Sequence, residues 1–350
     1  MYNKFKIGFI FNDEYINFIE KINNSSVHKI VEVYGSIREL SYLSARPKDR
    51  VPDISRDEFK KYLNKLKDIS VDFNYTLNST DIGSKEDIFK NTEEIKEFIK
   101  FLIDAGVKIF TISLPILAKF IREISSSVQI ELSTIIKLES VSQITIWKKI
   151  FNISRVCMNI SKNREILFLE RAMDYCKKED IDVNLIVNEF CGNGVDNICT
   201  TSGCIYRDHC YSLHSKDYTS NDSDNLDGYP FSYCSKLRND ELIWLKLNFI
   251  RPEDLKMYNK IGINFFKITG RTGTIQYMEK IVNAYMTQRW DGTLQELWFN
   301  QIYNSKKINI KNSNLEGFIN YWFENKNHLC SNNVCGVTCK YCNSFFEKII

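Results

Sequence analysis

Residues 107–124, VKIFTISLPILAKFIREI, place a strand-like run directly before a helical one. The first eight residues are mostly apolar or β-branched, which is typical of a strand that is buried on both faces. Pro115 stands where the helix should begin, because proline fits the first turn of a helix. The stretch therefore predicts one strand–helix unit of an α/β protein.

The same unit recurs along the chain. The other strand-like runs are KIGFIF (6–11), IVEVYGSI (30–37), VDFNYTLNS (71–79), QIELSTII (129–136), RVCMNIS (155–161), DVNLIVNEF (182–190) and INFFKITGR (263–271). Helical runs lie between them, among them 91–106 and 141–151. Eight such units predict an α/β fold of the (β/α)8 TIM-like barrel type, with its chemistry on the loops that follow the strands. An open doubly wound sheet is the alternative, but its glycine-rich first turn is replaced here by FNDEY.

Composition limits the class of protein. The 350 residues are 43% hydrophobic and carry a net charge of only +3, without the basic excess of a dedicated nucleic-acid binder. The sequence shows neither a signal peptide nor an apolar run long enough to span a membrane, so we expect a cytoplasmic protein. In that compartment eleven cysteines are expected to hold metal or to pack, rather than to form disulfides.

Five cysteines follow the seventh predicted strand, at the mouth of the expected barrel: Cys191, Cys199, Cys204, Cys210 and Cys234. Thiolates in groups of four bind zinc or an iron–sulfur cluster. We therefore predict a metal centre in the loop 191–234 of a barrel that spans residues 1–325.

A second group lies in the tail, 326–350, within CSNNVCGVTCKYC: Cys330, Cys335, Cys339 and Cys342. The close spacing allows one short loop to surround one metal centre, and it leaves zinc and a second iron–sulfur cluster both open. Cys157, in a strand, and Cys176, in a helix, are expected to pack in the core.

Several stretches resemble peptidase family U32, the collagenase-like proteins. They are VNLIVNEFC (183–191), GCIYRDHC (203–210), YCSKLR (233–238) and the long run 248–292, which contains FKITGR and a helix with NAY. Members of this family include oxygen-independent hydroxylases that carry a 4Fe–4S cluster on four cysteines. They act in ubiquinone synthesis or on RNA bases, with prephenate as oxygen donor.

The resemblance implies which cysteines hold the cluster at the barrel mouth. Cys191, Cys204 and Cys234 match family positions, and Cys210 is the expected fourth ligand. The insertion GNGVDNICTTSG (192–203) departs from the family and makes Cys199 an alternative to Cys204.

Charged residues near the ends of strands seven and eight predict a cationic rim. Arg207, Lys267 and Arg271 are the candidate substrate-binding residues, and such a rim suits a carboxylate-bearing substrate. Glu189 and His209 are the candidate catalytic residues. Glu189 is either a general base or the ion-pair partner of Arg207.

Three classes of function remain. The first is an iron–sulfur, oxygen-independent hydroxylase or related redox enzyme that acts on a small molecule or peptide, with an RNA base as a less favoured substrate. The second is a peptidase, which needs a nucleophile–base pair or a catalytic metal. The third is a non-catalytic partner in a heterodimer with a related barrel protein.

Overall fold

The computed structural model describes residues 2–46, 48–189, 239–270, 273–297 and 308–350. Eight parallel strands form a closed barrel in chain order, and β8 pairs back onto β1. The strands are β1 (Lys4–Gly8), β2 (Lys29–Gly35), β3 (Asp72–Leu77), β4 (Ile109–Ile112), β5 (Gln129–Leu132), β6 (Arg155–Met158), β7 (Asp182–Ile186) and β8 (Phe265–Ile268). The predicted (β/α)8 fold is confirmed.

Helices cover the outside of the barrel. In the first six units they are α1 (Asp13–Ser25), α2 (Arg56–Asp68), α3 (Lys85–Asp104), α4 (Pro115–Ile124), α5 (Val141–Phe151) and α6 (Ile166–Lys178). The later helices are α7 (Glu241–Lys246), α8 (Leu255–Asn259), α9 (Ile275–Thr287), α10 (Asn320–Glu324) and α11 (Tyr341–Ile349). None of these described helices combines the length and the apolar character needed to cross a bilayer.

Local sequence explains where several helices begin. Ser55, Ser84 and Ser140 each accept a hydrogen bond from the third residue of the following helix, whose side chain bonds back to the serine backbone. This capping box satisfies amide groups that have no partner within the helix. It also explains why α3 begins at Lys85, earlier than the predicted run 91–106.

The last part of the chain packs onto the barrel. Helix α11 contacts α7. Tyr341 stacks on Tyr321 with ring centres 4.1 Å apart, and its hydroxyl donates to the carbonyl of Phe318 at 2.8 Å. The tail is therefore held by aromatic contacts to neighbouring segments.

Polar side chains fill the middle of the barrel. Every strand contributes one: Lys6, Glu32, Asn74, Thr111, Glu131, Arg155, Asn184 and Lys267. The amine of Lys6 bonds to the Glu131 carboxylate and lies 3.4 Å from Glu32, which also bonds to Arg155. Two cations thus alternate with two carboxylates in a charged layer, where TIM barrels ordinarily stack branched apolar residues.

Neutral groups complete the hydrogen bonding of this charged layer. The amide of Asn184 donates to Glu131 at 3.2 Å, and that of Asn74 donates to Glu32 at 2.8 Å. The hydroxyl of Thr111 lies 3.1 Å from Glu131. Burial alone would raise the pKa of Glu131, but Lys6 and Lys267 outweigh it, so that the pKa is lowered and the carboxylate stays ionised.

Glu131→Gln should destabilise the protein strongly. The substitution leaves the buried amine of Lys6 without its main counter-charge, which costs about 3–5 kcal/mol. The free energy of unfolding in urea measures the effect. Lys65→Met is the matched control, because it breaks an exposed pair with Asp13 that is worth at most about 1 kcal/mol. Equal stability losses in the two variants would contradict a structural role for the charged layer.

Candidate functional site

The carboxyl ends of β7 and β8 are fastened together by one side chain. Asn188, which follows β7, accepts a hydrogen bond from the backbone amide of Thr269 at 2.7 Å and donates to its carbonyl at 3.1 Å. It is fully buried. Because both strands end at the same place, the residues around Asn188 lie at the mouth where a barrel keeps its reactive groups.

Lys267 lies inside the barrel, within β8, rather than at the rim where the sequence analysis placed it. Its side chain is only 8% exposed, and its amine is 4.2 Å from the ring centre of Tyr34 on β2. This is a cation–π distance. The positive charge of Lys267 therefore lies at the base of the mouth, between Tyr34 and the charged layer.

Glu189 directly follows Asn188 and is partly buried. The negative charge of Glu189 acts electrostatically on Arg46, which lies in the loop after β2. Burial lowers the pKa of the Arg46 guanidinium, while Tyr34 and Glu189 oppose that effect. Tyr34 thus links two cations, because it influences the charge of Arg46 and its ring lies 4.2 Å from the amine of Lys267.

Arg46 was missed by the sequence analysis. It belongs to SARPKDR, 44–50, a loop without a periodic pattern. The available signal was its position, because it follows β2 at the end of the barrel that carries the chemistry. A basic loop after a barrel strand is a candidate anion site even where no motif marks it.

Cys157 also lies in the barrel interior. It pairs in register with Asn184 across β6 and β7 and is 1% exposed. Burial raises the pKa of its thiol, and Lys267 and Lys6 oppose that effect. Cys157 therefore borders the charged layer, whereas Cys176 on α6 is buried in the apolar core.

The other predicted mouth residues lie outside the described residues: Cys191, Cys199, Cys204, Arg207, His209, Cys210, Cys234 and Arg271. The described chain reaches the start of their segment at Glu189, just after β7. It resumes at Asn239, before Asp240 caps α7. Their predicted roles stay predictions.

The four tail cysteines are described, and all four line one cavity beside the barrel. The other lining residues are Arg164, Lys246, Trp322, His328, Asn333 and Asn343. The centre of a water-sized sphere can move within about 20 Å³ of this cavity. We call it the tail cavity. That is room for about one water molecule, which excludes an organic substrate.

The thiols of the tail cavity have identifiable neighbours. The indole of Trp322 donates a hydrogen bond to Cys330 Sγ at 3.2 Å, and Cys342 Sγ lies 3.7 Å from the carbonyl oxygen of Leu245. Burial raises the pKa of both thiols, that of Cys342 to about 12, and Arg164 opposes the shift. None of the six described cysteines is in a disulfide.

The described part of the chain contains no group of three or more cysteine, histidine, aspartate or glutamate side chains arranged to hold a metal ion. The four tail cysteines nevertheless line one common cavity. The predicted metal in the tail, like the predicted cluster at the mouth, stays a prediction.

Comparison with known proteins agrees with the fold and adds a family. An "uncharacterized protease" of Methanocaldococcus jannaschii is 28% identical over 342 residues, which cover 96% of this chain and 93% of the relative. A solved structure of a U32 peptidase superposes with a TM-score of 0.51 at 9% identity, over 77% of this chain and 93% of that one. That likeness concerns the fold alone. The model of peptidase family U32 matches residues 19–333, and the chain therefore belongs to this family.

Proposed function

We propose that the chain is an iron–sulfur enzyme that acts at the barrel mouth as an oxygen-independent hydroxylase, or a related redox enzyme, on an anionic small molecule or peptide. The observation that carries this proposal is the buried amine of Lys267, 4.2 Å from the ring centre of Tyr34, with the charge of Arg46 influenced by Tyr34 and Glu189. The cysteine-rich segment follows Glu189 directly in the chain. The resemblance of these stretches to hydroxylase members of the family supports the same assignment, whereas the family name supports a peptidase equally.

The donor set of the segment suits a cluster. Cys191, Cys204, Cys210 and Cys234, with Cys199 as an alternative to Cys204, offer the soft thiolates that iron–sulfur clusters require. A bound cluster would supply one-electron chemistry that no ordinary side chain provides. Four thiolates also add negative charge, and cations near the mouth favour their ionised form.

The residues of the mouth suit an anionic substrate or oxygen donor. Arg46 presents a planar guanidinium that can bind a carboxylate through two parallel hydrogen bonds, and Lys267 adds a positive charge deeper in the barrel. Glu189 is positioned beside Arg46 to hold or accept a proton. Because these groups follow or belong to barrel strands, the strands fix their spacing.

A peptidase is the second candidate, because the relative in M. jannaschii is named a protease. Such an enzyme would need an activated nucleophile or a catalytic metal. Cys157 is the described cysteine of the barrel strands, but burial raises the pKa of its thiol, and a neutral buried thiol is a poor nucleophile. Hydrolysis of fluorescent casein or gelatin by the metal-loaded protein would favour this candidate.

Purification without oxygen should give a brown protein that contains iron and sulfide. Cys191→Ser, Cys204→Ser and Cys234→Ser should each remove the iron held at the mouth, because each removes one of its thiolates. Cys176→Ala is the matched control and should keep all the iron, since this thiol lies in the apolar core. Iron, sulfide and zinc per chain are measured together with the visible spectrum. A colourless protein loaded with zinc would refute the redox proposal, and full iron in Cys204→Ser would move the ligand role to Cys199.

Arg46→Ala should weaken the binding of an anionic ligand such as prephenate. Loss of a charge-assisted hydrogen bond costs about 1.5–3 kcal/mol, which corresponds to roughly a 10- to 100-fold rise in Kd. Titration calorimetry measures the change, and iron content should stay constant.

Lys48→Ala is the matched control, because Lys48 is exposed on the same loop. Applied to Arg271→Ala, the same titration tests the predicted rim. Unchanged affinity in Arg46→Ala would remove Arg46 from the site.

A further inference from the structure

We propose that Cys330, Cys335, Cys339 and Cys342 hold an iron–sulfur cluster in the tail cavity, and that Arg164 is its buried counter-cation. This centre is separate from the one proposed for the barrel mouth. Three of its four cysteines lie beyond residue 333, where the match to the family model ends. Three features of the tail cavity support it: a buried charge, polar atoms without a partner, and four cysteines in its lining.

The first observation is a buried positive charge. Arg164 is 2% exposed, and no carboxylate of the described residues lies within ion-pair distance of it. Its guanidinium instead lies 4.4 Å from the ring centre of Trp322 and 5.1 Å from that of Phe318. The buried Nε atom has no hydrogen-bond partner. A buried cation without a counter-charge is costly, so this cavity calls for an anionic occupant.

A metal centre with four thiolate ligands meets that requirement. The thiolates bring four negative charges, and either one zinc ion or an oxidised iron–sulfur core neutralises only part of them. The site as a whole is therefore negative and pairs with Arg164. The N–H of Trp322, which already points at Cys330 Sγ, would donate to a ligand sulfur, as groups around metal ligands commonly do.

Two further polar atoms of the same cavity are buried without a partner. They are Nε2 of His328 and Oδ1 of Asn343. Buried polar atoms are nearly always hydrogen-bonded, so two atoms without a partner point to a missing polar group. An imidazole N–H of His328 could donate to an anionic group, and Asn343 could do so with its amide turned to present the NH2 group. This observation is independent of the cysteines and of Arg164. Both atoms lie in the cavity where the cluster is proposed.

The cysteines themselves suit a cluster. All four line the tail cavity. Zinc needs its sulfurs at about 2.3 Å from one ion, whereas a cluster has a metal atom at each of several corners and can be held by cysteines that stand further apart around a shared space. Four cysteines within 13 residues are also typical of cluster-binding loops.

The test uses the full-length chain, because the tail packs on the barrel and its truncation would expose apolar surface. Wild type, Cys335→Ser and Cys339→Ser are loaded with iron and sulfide without oxygen. Both variants change partly exposed residues and should keep the fold, as judged by circular dichroism. Each should lose about four irons and four sulfides per chain, as expected for one 4Fe–4S cluster. Cys176→Ala should lose none.

The outcomes separate this centre from the one at the mouth. Iron that remains in Cys339→Ser but is lost in Cys191→Ser belongs to the mouth, so either proposal can fail while the other holds. Iron content equal to wild type in both tail variants would overturn the tail centre. The loss of one zinc ion in place of iron would overturn the cluster assignment.

Arg164→Met gives a second readout that does not depend on activity. In the metal-free protein it should raise the free energy of unfolding, because an uncompensated buried charge is removed. In the loaded protein it should lower the reduction potential of the tail cluster, since a nearby positive charge favours the reduced form. A loss of stability in the metal-free variant, with an unchanged potential, would show that Arg164 only packs against Trp322.

Discussion

The ion pairs inside the barrel are the constraint on which the rest of the structure depends. Lys6 and Glu131 come from β1 and β5, on opposite sides of the barrel, while Glu32 and Arg155 come from β2 and β6. The closed barrel brings these four strands together, and a barrel that opened would leave charges buried without partners. Pairing of the buried charges therefore favours the closed barrel, in addition to the apolar packing of the helices around it. The cost of burying the ions is offset only when all of them are in place.

The charged layer also determines the character of the mouth above it. A barrel filled with branched apolar side chains would present an apolar floor to a substrate, whereas this barrel presents Lys267 and the polar groups around it. Tyr34 and Asn188 hold that floor in a fixed geometry, the first through its ring and the second through backbone hydrogen bonds to β8. An anion that enters the mouth meets a surface whose positive charges are already oriented. Such preorganisation is the main advantage of a site on strand ends over one on long loops.

The sequence was sufficient for the barrel because its signals are local and repeated. Helices α4 and α5 begin and end where the pattern predicts, since Pro115 and Ser140 mark their first turns. The orientation of Lys267 has a geometric reason: it is the third of the four residues of β8, and alternation along that strand turns its side chain into the barrel. Arg46 left no periodic signal. The contact between Arg164 and Trp322 joins residues 158 positions apart, so no local sequence pattern could have predicted it.

The tail cavity lies between two parts of the chain that are far apart in the sequence. Arg164 belongs to the loop between β6 and α6, at the same end of the barrel as the mouth, while the cysteines belong to the tail. Arginine suits this junction better than lysine, because its weakly hydrated planar group can be buried against Trp322 and Phe318 and still carry its charge. If the proposed cluster gained or lost an electron, its electrostatic attraction for Arg164 would change. That change would act on the loop after β6, because Arg164 belongs to it. Electrostatic contact with a barrel loop would thus give the proposed tail centre a physical route by which its oxidation state acts on the barrel.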